Sequence, residues 1–345
     1  MVQKSWEEDF WKEYGQELLI GARRQSMHWT AVLVLRDRPE TEAVRYGYEK
    51  HNLRGMERME QMKKIIVTGC HGQLGIAVNK QYAGCEGIEL VNTDVGELDI
   101  TQIDAVMKLA KEVKPYAIIN CAAHTNVDGC ETDVDNAYRI NAIGPRNLAI
   151  AAKETGAKLV QVSTDYVFDG KGNRPYTEFD STAPHGVYGA SKLAGEQMVK
   201  DFCDRYFIVR TAWLYGEGKN FVKTMLRLAE TNDRLRVVND QIGTPTSTVE
   251  LAKAIQYLLD TENYGVFHGT CEGSCSWADF AAEIFRLGKR ETIVEGITTE
   301  QYKEMNPASA PRPAYSVLDN YMLRLTGDYR FADWKDAIGE YMTGL

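Results

Sequence analysis

The strongest hydrophobic pattern in the chain runs through Ile65, Ile66 and Val67, directly after Lys63 and Lys64. It is continuous, β-branched and too short for one face of a helix, so it predicts a buried strand. Three glycines follow at Gly69, Gly72 and Gly75, and beyond them Leu74, Ala77, Val78 and Tyr82 recur at helical spacing. The alternation then continues. Ile88 to Asn92 predicts a second strand, a helix reaches Val113 with Asp99 or Thr101 as its cap, and Ala117 to Asn120 predicts a third strand. A helix is expected from Glu131 through Asn141 to Thr155, then a fourth strand from Lys158 to Val162. Strands alternating with helices imply a parallel sheet covered on both faces, a doubly wound α/β fold of Rossmann type.

Past about Gly216 the rhythm is less regular. Helices are expected at Phe221 to Thr231, at Thr246 to Leu259 with Thr246 or Ser247 as cap, and at Trp277 to Leu287. Short strands are expected at Arg236 to Val238 and at Val266 to His268. No repeat or low-complexity linker marks a boundary, so the division between a main domain at 62–215 and a smaller C-terminal lobe at 216–345 is approximate. Residues 1–61 do not fit this fold. Trp6, Phe10, Tyr14 and Leu18 share one helical face, and Thr30 to Leu35 reads as a strand, but the rest is mixed charge without a period. A fold of this type starts within a few residues of its first strand, and Met62 stands where it would begin. The leader reads as an accessory or poorly ordered extension or an artefact of start-site choice, with a regulatory or oligomerisation role as the alternative.

Composition narrows the partners. The formal net charge of -9, without any block of basic residues, argues against nucleic acid or an anionic membrane surface. No run approaches the roughly 18 apolar residues of a membrane helix, and the N-terminus lacks a signal-peptide core. The seven cysteines are odd in number and show no C-x-x-C pair, which points to a reduced, cytoplasmic compartment. Cys271 and Cys275 lack a partner pair at finger spacing, so no metal site is expected.

Chemistry enters at the strand ends. In the spacing G-x-x-G-x-x-G, the first glycine allows a sharp turn, the second a close backbone approach to a pyrophosphate and the third close helix–strand packing. The helix N-terminus then offers free N–H groups to phosphates. Asp94 lies where a carboxylate can accept hydrogen bonds from adenosine ribose hydroxyls and repel a 2′-phosphate, favouring NADH over NADPH. The run Cys121-Ala122-Ala123-His124-Thr125 closes the third strand with mostly small residues, and Ser163-Thr164-Asp165 closes the fourth. Tyr188 and Lys192 are four residues apart on a predicted helix and therefore share a face. A free tyrosine has a pKa of about 10 and is a poor proton shuttle at neutral pH. A nearby ammonium is expected to lower it, bringing Tyr188 toward general acid/base work, with Thr164 or Ser163 holding the same carbonyl oxygen. Trp213 would offer a flat apolar face to a sugar or base, and Arg312 a bidentate grip on a pyrophosphate.

Taken together these pieces resemble one family, the dTDP-4-dehydrorhamnose reductases, which are extended short-chain dehydrogenases/reductases. The resemblance runs from Met62 nearly to the C-terminus. It is carried by Gly72-Gln73-Leu74-Gly75, Ala122-Ala123-His124-Thr125 with Val127-Asp128, Ser163-Thr164-Asp165-Tyr166-Val167-Phe168, Tyr188-Gly189 with Lys192-Leu193-Ala194-Gly195-Glu196, Arg210-Thr211-Ala212-Trp213-Leu214-Tyr215, Asn220-Phe221, Asn239-Asp240-Gln241-Ile242-Gly243-Thr244-Pro245-Thr246 and Arg312-Pro313. It implies reduction of the C4 keto group of dTDP-4-dehydro-L-rhamnose. Tyr188 would be the proton donor, Lys192 would hold the nicotinamide ribose, and Thr164 would join that cluster. Thr164, Asp165 and Trp213 would line the sugar site, with Asn220, Gln241 and Arg312 as further substrate contacts. Gln73, Leu74, Asp94, Asp99, Ile100, Ala123, His124, Thr125 and Val162 would contact the dinucleotide, His124 through either its ring or its backbone. Extended members return some C-terminal elements to the main sheet. Some members use magnesium at a dimer contact, but no matching carboxylates are placed here. Monomer and homodimer both fit, and the nucleotide could be thymidine or uridine. The rival readings are another nucleotide-sugar reductase or epimerase, and a non-catalytic NADP-binding subunit similar to the regulatory beta subunit of methionine adenosyltransferase. The leader before Met62 is a departure from the family.

Overall fold

Five strands of the first two hundred residues or so line up in parallel: β1 (Lys63–Thr68), β2 (Ile88–Thr93), β3 (Ala117–Asn120), β4 (Lys158–Thr164) and β5 (Tyr206–Thr211). The structure, a computed structural model, describes residues 62–345. The helix expected around Trp6 to Leu18 and the strand expected at Thr30 to Leu35 lie outside the described residues. A sixth parallel strand, Gly265–His268, pairs with β5 at one edge, giving the order Gly265–His268, β5, β4, β3, β1, β2. The doubly wound parallel fold is therefore as expected. Within β1 the alternation of a pleated strand sends Ile65 and Val67 to one apolar layer and Ile66 to the other. The first layer includes residues of the Gln73–Tyr82 and Thr248–Leu259 helices, and the second residues of the Ile103–Val113, Gly144–Thr155 and Val187–Phe202 helices. A third apolar cluster gathers Tyr215, Val222, Phe280, Ile284, Trp334 and Ile338 in the C-terminal part. Among the described residues, no helix is long and apolar enough to cross a membrane.

The strand order places the candidate site. From β1 the chain moves outward to β2, then returns to place β3 on the other side of β1. The connections leaving β1 and β3 thus diverge, and a crevice opens above the carboxyl ends of these strands. Backbone must pass close to backbone at its base. A Cβ on Gly75 would lie 2.3 Å from the Gly69 carbonyl oxygen and 2.6 Å from the Cys70 Cα. Gly69 itself has φ +64°, a left-handed conformation that side chains disfavour.

Several boundaries differ from expectation for local reasons. Neither Asp99 nor Thr101 caps the next helix, which starts at Ile103 with Gln102 before it. Asp99 instead accepts a hydrogen bond from the Thr101 N–H at 2.9 Å, closing the preceding turn. Ser247, not Thr246, caps the Thr248–Leu259 helix. The long helix expected from Glu131 to Thr155 is a broken run: Val127–Thr132, Val134–Tyr138, a π-helical turn at Arg139–Ile143, and Gly144–Thr155. Periodicity alone does not register a widened turn, and π-turns concentrate where a function needs a displaced group. Here the Asn141 carbonyl comes so near Gly195 that a Cβ there would stand 2.1 Å away. The helix expected to reach Thr231 ends at Leu228. The expected strand at Arg236 begins earlier, as Arg234–Val238, because Ile293–Ile297 pairs with it in parallel.

Gly75→Ala is expected to destabilise the protein by at least about 1–3 kcal/mol, because rigid backbone rather than a pliable side chain blocks the added methyl. Gly96→Ala, with open space around the added carbon, should stay within about 0.5 kcal/mol. Urea unfolding of the two variants compares them directly, and equal midpoints would contradict the close approach.

Candidate active site

A cavity of about 1040 Å³ fills the crevice above the strand ends. On one wall stands the glycine turn. The Gly72 N–H donates to the Gly69 carbonyl at 3.0 Å, and Gly72 caps the Gln73–Tyr82 helix without any side-chain cap. The first N–H groups of that helix have no acceptor within it, and His71, Gly72, Gln73 and Leu74 border the cavity. A dipole-positive helix end with free donors suits an anionic group such as a pyrophosphate. The Gln73 side chain is otherwise engaged, accepting from the Gly216 N–H at 2.9 Å. Asp94 sits just past β2 and accepts from the His71 and Val95 N–H groups at 3.1 and 2.8 Å. Among the described residues, one group of ligand-type side chains clusters, Cys70, His71 and Asp94, and it lies at this turn.

Asp99, Ile100, Ala123, Thr125 and Val162 also border the cavity. His124 does not. Its ring nitrogen is 3.3 Å from the Cys130 sulfur, its N–H donates to the Asn141 side-chain oxygen at 2.8 Å, and its carbonyl accepts from the Asn141 amide at 3.1 Å. Asn141 of the π-turn thus clamps the backbone of the small-residue run, while the imidazole packs on Cys130.

On the opposite wall, Tyr188 and Lys192 lie on the Val187–Phe202 helix, and both border the cavity together with Thr164 at the end of β4. The Lys192 amine donates to the Val162 carbonyl at 2.7 Å. Burial lowers its pKa to about 8, opposed by the negative charge of Glu196 on the next turn. Burial also pushes the Tyr188 phenol above the usual tyrosine value, with the Thr164 hydroxyl opposing it. This corrects the expectation that Lys192 lowers the phenol. The amine is drawn down onto the Val162 carbonyl, and loss of water around the ring outweighs any help that remains. Asp165 is buried as well, and desolvation lifts its carboxyl to about 6, opposed by the Ser316 and Thr164 hydroxyls. The Thr164 hydroxyl donates to Asp165 at 2.9 Å.

Trp213 borders the cavity in an unusual conformation, φ +47°. Its indole stacks on that of Trp277, ring centroids 3.6 Å apart and planes within 9°. The open flat face expected from sequence is therefore covered on one side. Three other expected substrate contacts do not border the cavity. Asn220 caps the Phe221–Leu228 helix, accepting from the Lys223 N–H at 2.9 Å, and its amide donates to the Gly216 carbonyl and the Tyr341 hydroxyl. The buried Gln241 donates to the Thr299 hydroxyl at 3.0 Å. Arg312 stands one step behind the wall, bonded to the Asp128 carboxylate at 3.2 Å and to the Tyr166 hydroxyl at 3.3 Å. Tyr166 does border the cavity, edge-on to Tyr188.

Sequence reasoning gave no role to Asn120, Arg139, Tyr166 or Thr211, all of which border the cavity. For Asn120 and Thr211 the signal is a polar residue closing an apolar strand, whereas Arg139 opens the π-turn and Tyr166 follows β4 in a short turn, where the strand pattern gives none. Thr68, Asn120 and Gln161 form a buried string of side-chain hydrogen bonds of 2.6 and 2.7 Å across β1, β3 and β4. The Thr211 hydroxyl is buried at the cavity without a protein partner, as a group awaiting a ligand would be.

Residues 62–345 match the family model for the RmlD substrate binding domain. The chain is 41% identical over 282 residues to the spore coat polysaccharide biosynthesis protein SpsK of Bacillus subtilis, covering 81% of this chain and 97% of that one. It is 40% identical to a dTDP-4-dehydrorhamnose reductase of Mycobacterium tuberculosis over 284 residues, covering 80% and 91%. Among solved structures, a dTDP-4-dehydrorhamnose reductase from Clostridium acetobutylicum shares 55% identity with a TM-score of 0.78, covering 81% of this chain and 98% of that one. The Bacillus anthracis dTDP-4-dehydrorhamnose reductase, solved in complex with NADP, shares 43% identity with a TM-score of 0.79, covering 82% and 99%.

The raised carboxyl at Asp165 has a stability signature. Between the unfolded value near 3.8 and the folded value of about 6, the native state holds the extra proton. Stability should therefore fall as pH rises through that window. Asp165→Asn is expected to flatten this part of the curve, checked by urea unfolding of both proteins between pH 4 and 7. An unchanged slope would contradict the burial cost.

Proposed function

Since the chain belongs to the family of the RmlD substrate binding domain, whose members include the dTDP-4-dehydrorhamnose reductases, we propose that it reduces the C4 keto group of dTDP-4-dehydro-L-rhamnose to give dTDP-L-rhamnose. The observation that carries this reading is the convergence of Tyr188, Lys192 and Thr164 on the cavity that the glycine turn also borders. The donor set fits a nicotinamide dinucleotide: unpaired N–H groups at a helix start, a carboxylate past the second strand, and small residues past the third. When bound, NADH or NADPH supplies the hydride. Asp94 favours NADH, because its carboxylate would repel a 2′-phosphate. In this reading residues 62–215 mainly hold the cofactor and residues 216–345 mainly shape the sugar-nucleotide end.

The protein's own contribution is proton supply and charge placement. The ketone oxygen gains negative charge as hydride reaches C4. A donor already at that oxygen stabilises the transition state more than the ground state. Burial keeps the proton on the Tyr188 phenol until that charge develops. Lys192, with a pKa of about 8, is mostly protonated at neutral pH. It provides the compensating positive charge and a donor for the nicotinamide ribose. Thr164, anchored to Asp165, holds the same end of the sugar, and Trp213 borders it.

Purified protein given NADH and dTDP-4-dehydro-L-rhamnose should consume NADH, followed by loss of its absorbance. Tight NADH binding without turnover would point to a non-catalytic binding subunit instead. Tyr188→Phe is expected to lower turnover by at least ~100-fold while leaving NADH affinity nearly unchanged, the usual worth of a positioned acid. Near-normal turnover in that variant would remove Tyr188 from its role.

A further inference from the structure

Directly beneath the cavity lies an ion pair that the reaction does not touch. Glu196 is fully buried and Arg210 nearly so. The guanidinium grips the carboxylate through two bonds, Nε to Oε1 at 2.9 Å and Nη2 to Oε2 at 2.7 Å. A third bond reaches the same carboxylate, from the Ser163 hydroxyl at 2.6 Å. These partners stand beside the site on three different elements. Tyr188, Lys192 and Glu196 follow one another at four-residue spacing on one face of the Val187–Phe202 helix. Ser163 precedes Thr164 on β4, and Arg210 precedes Thr211 on β5. Ser163 and Arg210 face each other in the strand register, one rung below Thr164 and Thr211.

We propose that the Glu196–Arg210–Ser163 cluster is a positioning device that sets the height and rotation of the Tyr188 helix over β4 and β5, and so the spacing between Tyr188, Lys192 and Thr164. The proposal rests on the reductase reading. A single carboxylate here locks the helix to both strands that end at the reacting groups. Stability gives little reason to keep such a pair. Burying two charges costs about as much as their attraction returns, and well-packed apolar replacements are often neutral or stabilising. Defined geometry is what a bidentate charge pair supplies beyond an apolar contact. The cluster also acts on Lys192 through space. The groups around that amine are Glu196 from its own helix, the Cys121 thiol past β3 and the neutral Val162 carbonyl of β4, while Arg210 of β5 faces Glu196. Of these, Glu196 is the charge that offsets burial and keeps Lys192 protonated.

The double variant Glu196→Met/Arg210→Met removes both charges together and leaves no orphaned ion. It is expected to unfold at or above the parent's temperature, to bind NADH within a few-fold of the parent at pH 7, and to lose about 10- to 100-fold in kcat, as misplacement of a reacting group does. Without Glu196, Lys192 should shed its proton at lower pH. The alkaline fall in NADH binding, read by protein fluorescence, should therefore move to lower pH whether or not the sugar turns over. Ser163→Ala, which deletes one hydroxyl and leaves the Glu196 charge in place, should fold, lower kcat in smaller measure and leave the binding profile where the parent has it. A folded double variant with parental kcat and an unmoved binding profile would overturn the proposal. If the double variant does not fold, Ser163→Ala with parental kcat would overturn it equally. Absence of turnover in the parent would count against the reductase reading alone, since the binding profile still reports on Lys192.

Discussion

The chemistry of this protein depends on the gap that opens where the strand order reverses beside β1. Chain leaving β1 and chain leaving β3 run in opposite directions, so the space between them cannot be closed by the sheet itself. Its base is closed instead by backbone lying on backbone: Gly75 against the Gly69 carbonyl, Gly69 against the start of the Cys121 to Thr125 run. Side chains are excluded there. That exclusion leaves a helix end free of caps and a run of small residues facing the cavity. The opposite wall then needs to deliver only one helix, with two side chains a turn apart.

The electrostatics of the cavity are governed by burial. Three ionisable groups at its wall, Tyr188, Lys192 and Asp165, are each pushed toward their neutral forms chiefly by loss of water. For the phenol this holds the proton in place. For the amine it works against the charge, and Glu196 is the neighbouring charge that resists it. The same desolvation therefore acts on both members of the pair, and at the amine a neighbouring carboxylate opposes it.

Much of the fold could be read from the residues. The alternation from Lys63 onward located β1 to β4 and the edge strand at Gly265–His268 closely, because short apolar runs buried in the sheet leave a clear trace, but β5 at Tyr206–Thr211 went unread. The Tyr188–Lys192 spacing likewise identified one wall of the cavity. What escaped notice was set partly by local chemistry with two readings and partly by distance in the chain. Asn220 looked like a sugar ligand, yet it faces the first turn of its own helix, and a cap and a ligand have the same side-chain chemistry. Gln241 and Arg312 are polar in a motif but find protein partners, Thr299 and Asp128, that only the folded chain brings near. The π-turn at Arg139–Ile143 is invisible to any helical period, and the covering of Trp213 requires a tryptophan from another part of the sequence.

That indole stack has a consequence for how the protein can drift over generations. Trp213 follows the last strand of the first half, and Trp277 opens a helix in the C-terminal part, so two remote codons share one contact surface. A smaller residue at either place would strip the other ring of its support and leave a void beside the cavity. Changing the width of the cavity at that corner therefore calls for paired replacement, and single substitutions will find it slow to yield.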